Sequence, residues 1–380
     1  MTDWKIPLYK IFTDDEDLRH VNYVIKRGKS WAIGPEIEQF EAELSSFVGK
    51  KFCVTFNSGT SGLHAALQAY GVGINDEVIV PSFSFISTAN SVLFVNGTPI
   101  FSDIEKDNFG LDANLLEEKI TNKTKAIMPM DYSGQSCKIH EINDIVKKND
   151  LLLIEDAAES LGCTINGKMV GTHSDCAIFS FTGNKVMTTG EGGAVVTDSE
   201  EIYEKLKLIR SHGRIDVQNY FENPNISDYV NIGYNWRMPT MSAALGLAQL
   251  SKLPKIIQMR KDNAKYLSSR ISKHSEIEVP IPKSGSDHIY QMYTIKLKTN
   301  EIRNKLQVFL TENGIFSKIY FSPIHLTKFY MQKFNLTHGM LPITEEISSK
   351  ILTLPMFPNM TLDEKNLIVS KIDEFFESIS

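Results

Sequence analysis

The chain has 380 residues, 42% of them hydrophobic and 23% charged, with a formal net charge of −6. That length permits a large core and suggests two domains. Its basic residues are dispersed, which argues against the basic stripe of a nucleic-acid surface, and no apolar run reaches the roughly 18 residues of a membrane span.

The start, Met1-Thr2-Asp3-Trp4-Lys5, is polar and unlike a signal peptide. Four cysteines (Cys53, Cys137, Cys163, Cys176) are scattered, without a C-x-x-C pair or a histidine at zinc spacing. They read as reduced core thiols of a cytoplasmic protein. Five Asn-x-Ser/Thr sequons, among them Asn96-Gly97-Thr98, are then coincidental.

Phe52-Cys53-Val54-Thr55-Phe56 reads as a strand, followed by Asn57-Ser58-Gly59-Thr60-Ser61-Gly62. Leu63, Ala66, Leu67 and Tyr70 then fall at helical spacing. Small residues at a helix start expose backbone N–H groups, and the hydroxyls of Ser58 and Thr60 add donors. With the helix dipole they form a pocket for a dianion. The Gly-Lys-Ser/Thr ending of a P-loop and the three-glycine dinucleotide spacing are both absent, and ordinary helix capping by Ser and Thr is the plainer alternative.

Further strand-like runs at residues 77–80, 99–103, 126–130, 151–154, 177–181 and 194–197 alternate with helical patterns. This alternation predicts a mostly parallel sheet covered by helices. The run Leu151-Leu152-Leu153-Ile154 is apolar throughout, as in a strand buried on both faces, and Glu155-Asp156-Ala157-Ala158-Glu159 follows it. Acidic residues at a strand's carboxyl end sit where open α/β sheets bind ligands. A carboxylate there suits a protonated ring nitrogen, keeping a pyridinium charged as an electron sink. Capping of a helix that begins near Ala157 is the alternative.

Cys176 to Phe181 leads into Thr182-Gly183-Asn184-Lys185, and a Gly-rich turn, Gly190-Glu191-Gly192-Gly193, precedes Ala194-Val195-Val196-Thr197. A lysine between two buried strands lies close to an apolar interior, where loss of solvation favours a free, nucleophilic amine. A Schiff-base lysine needs that setting, although a solvated surface lysine is the commoner reading of such a turn. Phosphate cradle, pyridinium carboxylate and Schiff-base lysine, in that order on successive α/β units, describe a site for pyridoxal 5′-phosphate.

Beyond Ser251 the pattern changes, with a charged helix at residues 256–271, a strand at 290–297, a helix near 301–313 and an amphipathic C-terminal helix. These predict a smaller α+β domain at residues 251–380, behind a large cofactor-binding domain at 1–250. Residues 213–232 are polar without a clear period and read as a long loop, functional or at an interface.

With these motifs, the chain resembles the DegT/DnrJ/EryC1/StrS family of sugar aminotransferases over nearly its whole length. The likeness includes Gly34-Pro35-Glu36-Ile37, Pro81-Ser82-Phe83-Ser84-Phe85 and Gly233-Tyr234-Asn235-Trp236-Arg237-Met238. It implies the α/β fold-type-I aminotransferase architecture, with one antiparallel member in the sheet. It also implies pyridoxal 5′-phosphate as cofactor, Lys185 as the residue joined to it and Asp156 on the ring nitrogen. Phe85 matches a ring-stacking aromatic, Ser180 a phosphate-binding serine, and Gly59 and Thr60 further phosphate contacts. If the segment is extended, Phe83 and Phe85 share a face, so the choice of Phe85 rests on the resemblance. Glu159 matches a position near the ring that is often Gln in relatives. Asn235 matches a residue that reaches the neighbouring subunit's cofactor, which implies at least a homodimer.

His325, in Tyr320-Phe321-Ser322-Pro323-Ile324-His325, is a candidate for sugar contact or a structural histidine, and Arg237 for an anionic substrate group or an ordinary salt bridge. Asp131 stands where many relatives have His. Within the family the run around Lys185 is most like the perosamine synthases. This implies transfer from L-glutamate to C4 of a nucleotide-linked 4-keto-6-deoxyhexose, with GDP-4-keto-6-deoxymannose favoured. A dTDP- or UDP-keto-sugar, or amination at C3, is the alternative. The 3-dehydratases of the family carry His in place of the lysine, so Lys185 speaks against that chemistry. A regulatory protein that keeps the fold without catalysis is the reading from another class, and the intact Lys185, Asp156 and cradle weigh against it.

Overall fold

The computed structural model describes residues 4–215, 228–283 and 285–379. Seven strands form where the apolar runs fall: β1 (Phe52–Phe56), β2 (Glu77–Pro81), β3 (Thr98–Ser102), β4 (Thr124–Ile127), β5 (Leu152–Asp156), β8 (Cys176–Ser180) and β9 (Gly193–Thr197). Between β5 and β8 a short hairpin forms β6 (Thr164–Ile165) and β7 (Lys168–Met169). The large sheet has the order β1-β9-β8-β5-β4-β2-β3. All its strands run parallel except β9, which is antiparallel to both β1 and β8.

Two faces of this sheet are buried, which is why its strands are apolar throughout. Val54, Phe56, Ile178 and Val195 pack one face against α3 (Gly59–Ala69), α4 (Ile86–Phe94) and α6 (Glu200–Arg210). Their sequence neighbours Cys53, Ala177, Phe179 and Val196 pack the other face against α2 (Pro35–Val48) and α7 (Thr240–Ser251). α5 (Ile139–Lys148) buries Ile139, Ile142 and Val146 against Ile79, Ile127 and Leu153. α1 (Asp15–Arg27) opens on an Asp14 capping box and lies along α7.

A second, antiparallel sheet joins β10 (Ile277–Glu278), β12 (Tyr293–Leu297) and β13 (Ile351–Leu354). Its core draws on α8 (Leu253–Ile271), α9 (Asn300–Glu312) and α12 (Leu362–Ile379), and also on Ile6 near the chain start, which bridges to Ile315. The expected strand at 290–297 begins only at Tyr293, because Tyr290 adopts a left-handed φ of 52° that breaks the extended run. β11 (Ser286–Asp287) pairs with β6 and ties this segment back to the hairpin. α10 (Lys328–Phe334) and α11 (Pro342–Lys350) complete the described elements. Phe83, Met130, Tyr132, Met292, Phe321 and Ile351 form one apolar cluster that joins the two sheets' surroundings.

The expected strand at 151–154 runs on to Asp156, so both carboxylates lie inside β5 and no helix begins at Ala157. Of the long loop at 213–232, residues 216–227 lie outside the described residues. Its ends are pinned by Val230 N–H to Gly213 O at 2.9 Å and Ile215 N–H to Asp228 O at 3.2 Å.

Helix α7 lies close on α2 because it carries Gly246 at the crossing: a Cβ there would stand 2.8 Å from the Phe40 ring. Gly246→Ala is expected to destabilise the fold by about 1–3 kcal/mol through overpacking. Urea unfolding should show a lower midpoint with an unchanged slope.

Candidate active site

Where the parallel strands end, a cavity of about 370 Å³ opens. Its floor is the head of α3. Ser58 is the N-cap, its Oγ accepting from Ser61 N–H at 3.1 Å, so that hydroxyl is occupied by capping. The first-turn N–H groups of Gly59 and Thr60 have no acceptor within the helix, as in any first helical turn. Thr60 Oγ1 shares a hydrogen bond of 2.8 Å with Ser87 Oγ, on the opposite wall. Ser180, the last residue of β8, closes the third side, where a Cβ on Gly59 would approach its Cβ to 3.0 Å. Gly193 lets β9 cross directly over this floor, since a Cβ there would meet the Ser58 carbonyl and Gly59 N at 2.5 Å. Together these contacts make a small cradle rich in donors.

Asp156 stands at the carboxyl end of β5, 3% exposed. Its Oδ2 accepts from Thr88 Oγ1 at 2.7 Å, and Oδ1 from Ala158 N–H at 3.3 Å. Burial raises its carboxyl above the ordinary range, while Thr88, Ala158 and the Lys185 charge pull it back. Thr88 is itself held by Ser84 Oγ at 2.6 Å.

Lys185 enters from the turn after β8. Its N–H donates to Thr182 O at 3.0 Å, and Gln291 Nε2 pins the preceding Asn184 carbonyl at 2.8 Å. The ammonium lies 3.3 Å from Glu159 Oε1. The other oxygen of Glu159 accepts from Ser133 N–H at 3.0 Å.

Phe83 and Phe85 do not share a face, because residues 82–84 bend before α4 rather than extend. Phe83 is fully buried against Tyr132 and Phe109, whereas Phe85 is 58% exposed and borders the cavity. Tyr320 and Phe321 line the facing side from a remote part of the chain.

The sequence pattern of the DegT/DnrJ/EryC1/StrS aminotransferase family matches residues 12–373. The chain belongs to this family. It is 33% identical to the GDP-perosamine synthase of Vibrio cholerae over 98% of this chain and 100% of that one. It is 35% identical to that of Caulobacter vibrioides over 90% and 91%. Among solved structures, Helicobacter pylori PseC, an aminotransferase involved in pseudoaminic acid biosynthesis, superposes with a TM-score of 0.92 at 30% identity, covering 98% of this chain and 99% of that one.

The protein is thus a PLP-dependent sugar aminotransferase of the fold-type-I architecture, and pyridoxal 5′-phosphate is its cofactor. The residues present fit that group. A donor cradle at a helix head suits the phosphate, a buried acid suits the ring nitrogen, and a lysine reaches the same cavity. Ser87 lines the aminotransferase's cavity and Thr88 lies behind it on Asp156, and neither has a local motif to mark it, whereas Tyr320 lines the cavity from the run that drew attention to His325.

Other candidates lie elsewhere. His325 is 1% exposed and outside the cavity wall. Its Nδ1 meets Ser82 Oγ at 2.6 Å and its Nε2 meets Glu345 Oε1 at 3.1 Å, so both ring nitrogens are engaged in holding the chain together. Both contacts fit the structural reading of this histidine. Arg237 donates to Ser211 Oγ at 3.1 Å in a separate groove of about 570 Å³, beside Arg210 and Arg214. That groove is the larger of the two but holds none of the cofactor chemistry. Asn235 is exposed, pairs with Ser211 through a β-bridge and does not line its own chain's cavity.

Asp131 is fully buried, accepting from Cys137 N–H at 2.8 Å and Ser160 Oγ at 3.1 Å, and it shares a hydrogen bond with Glu155. Two acids in one dry site hold a proton between them. Burial pushes Asp131 up to about 6 and Glu155 well above its ordinary range, the neighbouring acid adding to the latter. A carboxyl raised by burial binds its proton more tightly in the folded state than in the unfolded chain, so the stabilisation from Asp131 is full below pH 3.8 and is lost as pH rises through its raised folded value. Asp131→Asn should remove that dependence, so its melting temperature should gain on the parent's between about pH 4 and about pH 7.

Proposed function

We propose that this aminotransferase moves the amino group of L-glutamate to C4 of a nucleotide-linked 4-keto-6-deoxyhexose, with GDP-4-keto-6-deoxymannose as substrate and GDP-perosamine as product. The observation that carries this reading is the likeness to GDP-perosamine synthases, sustained at 33–35% over at least 90% of the chain. A different nucleotide-linked keto-sugar is the second reading, favoured by the 30% identity to PseC.

Bound pyridoxal phosphate supplies the electron sink that lets the α-carbon of the amino donor lose its proton. In this reading Asp156 holds the proton on the ring nitrogen, and its burial strengthens that interaction because little water competes. Lys185 Nζ takes the proton from Cα in the first half-reaction and returns one to the sugar carbon in the second. The head of α3, with Thr60 and Ser180, holds the phosphate, while Phe85 borders the ring's place. Tyr320 and Phe321 help exclude water from the opposite wall. Asn235, exposed and away from its own cavity, reaches the phosphate of a neighbouring copy, so the working unit is at least a homodimer.

The test is a panel of GDP-, dTDP- and UDP-linked 4-keto-6-deoxyhexoses with L-glutamate, following 2-oxoglutarate and the mass of the amino sugar. The GDP-linked sugar should lead by about tenfold or more in kcat/KM, which corresponds to about 1.4 kcal/mol of discrimination. Preference for another nucleotide would establish the second reading, and release of 2-oxoglutarate with none of them would bring the regulatory reading forward. Lys185→Ala should lower turnover by about 1,000-fold or more, since it removes both nucleophile and base.

A further inference from the structure

Glu159 is the charged partner of Lys185 in the cavity, and both of its oxygens are engaged. Oε2 is tied to the Ser133 N–H, and Ser133 is itself fixed by a left-handed φ of 62° and by its Oγ donating to Met292 O at 2.9 Å. The side chain is 6% exposed. Such a carboxylate has little room to swing away or to be screened by water.

The titratable groups that face it are Lys185, Asp156, Tyr132 and Tyr320, and its charge acts on the last three to raise them. Lys185 is the one cation among them. A neutral amide at position 159 would accept from Ser133 equally well and could still hydrogen-bond a lysine nitrogen. What the carboxylate adds is the charge.

We propose that Glu159 is the counter-ion of the Lys185 nitrogen, pairing with its charge whenever that nitrogen carries a proton, on the free lysine or on the lysine joined to the cofactor. It is a positioning residue that acts through Lys185, and the proposal rests on the reading of Lys185 given under Proposed function. The proton balance explains its use. When the neutral amine takes the Cα proton, the C–H bond breaks, its electron pair would pass to the electron sink that the bound cofactor supplies, an N–H bond forms, and the ammonium appears beside an existing carboxylate. Charge is then created only as half of a pair, which a dry site tolerates far better than a lone cation. When the ammonium gives its proton up, the same carboxylate remains hydrogen-bonded to Ser133.

The experiment compares the parent with Glu159→Gln and Glu159→Asp, each loaded with pyridoxal phosphate and given no amino donor. The visible band of the lysine-bound cofactor is titrated with pH. Its midpoint should fall by about one to three pH units in Glu159→Gln, and Glu159→Asp should recover much of that shift. An unchanged midpoint in Glu159→Gln overturns the proposal. Equal shifts in the two variants overturn it as well, because they would report packing rather than charge. Absence of any band in the parent, with no cofactor on the Lys185 peptide after borohydride reduction, would instead overturn the reading of Lys185, and the proposal with it.

A second measurement needs no cofactor. Acetylation of Lys185 in the apoprotein, followed by peptide mass at about pH 8, should be about tenfold faster in Glu159→Gln, since a lost carboxylate leaves more of the amine neutral. An equal rate overturns the proposal.

Discussion

Everything around the cavity depends on keeping an acid, Asp156, inside a sheet whose strands are otherwise apolar. A carboxylate taken out of water loses solvation that only partners can replace. Thr88 and the Ala158 N–H replace some of it, and burial still leaves the carboxyl raised. A cation held against it would offset the remainder. The surrounding fold serves this one residue. β5 places it at the strand end, parallel β8 brings Ser180 beside it, and α4 carries Thr88 to it.

Strand geometry then divides the work of the Glu155-Asp156 doublet. Successive residues of a strand face opposite sides. Asp156 faces Thr88 and the cavity, whereas Glu155 turns to Ser174 and Asp131 in the protein interior. One acid is available to a ligand and the other is locked in a shared-proton pair that reaches no cavity wall. Asp131, standing where relatives often have His, is absorbed by that pair. Its hydrogen bonds to Cys137 N–H and Ser160 connect β5 to the turns that follow β4 and β5. Its carboxylate is spent within the interior.

The sheet was legible because burial on both faces leaves a sequence mark: short apolar runs at regular intervals. The cradle was legible for a related reason, since Ser58 must cap α3 and Gly59 must let Ser180 approach. What could not be read were contacts between distant segments. Nothing near Thr88 signals that it will meet Asp156, and the motif that Tyr320 opens drew attention to His325 instead of to Tyr320 itself. Local patterns also misled where the backbone departs from regular geometry. Phe83 and Phe85 seemed to share a face because alternation assumes an extended chain, and the bend at 82–84 sends one to the core and the other to the cavity. His325 kept two readings until its partners, Ser82 and Glu345, were known, both remote from the motif that drew attention to it.

Charge in the cavity carries a further consequence for the substrate. Its wall contains Asp156, Glu159 and Glu191 but, among the described residues, a single cation, Lys185. A cofactor phosphate can be met by the N–H groups and dipole of a helix head, without a formal positive charge. A nucleotide-sugar brings another two phosphates' worth of negative charge, and a wall with three acids and one lysine would repel it. Arg210, Arg214 and Arg237 share the separate groove with Glu38, Glu41 and Glu204, Glu41 pairing with Arg210, and Asn235 is exposed beside Arg237. Burial and mutual repulsion already lower the hold of Arg237 on its proton, so a nearby anion would relieve that repulsion as well as neutralise charge. Within one chain this groove and the cofactor cavity are distinct. The positive charge that a nucleotide-sugar calls for is therefore not supplied by this cavity's own wall among the described residues.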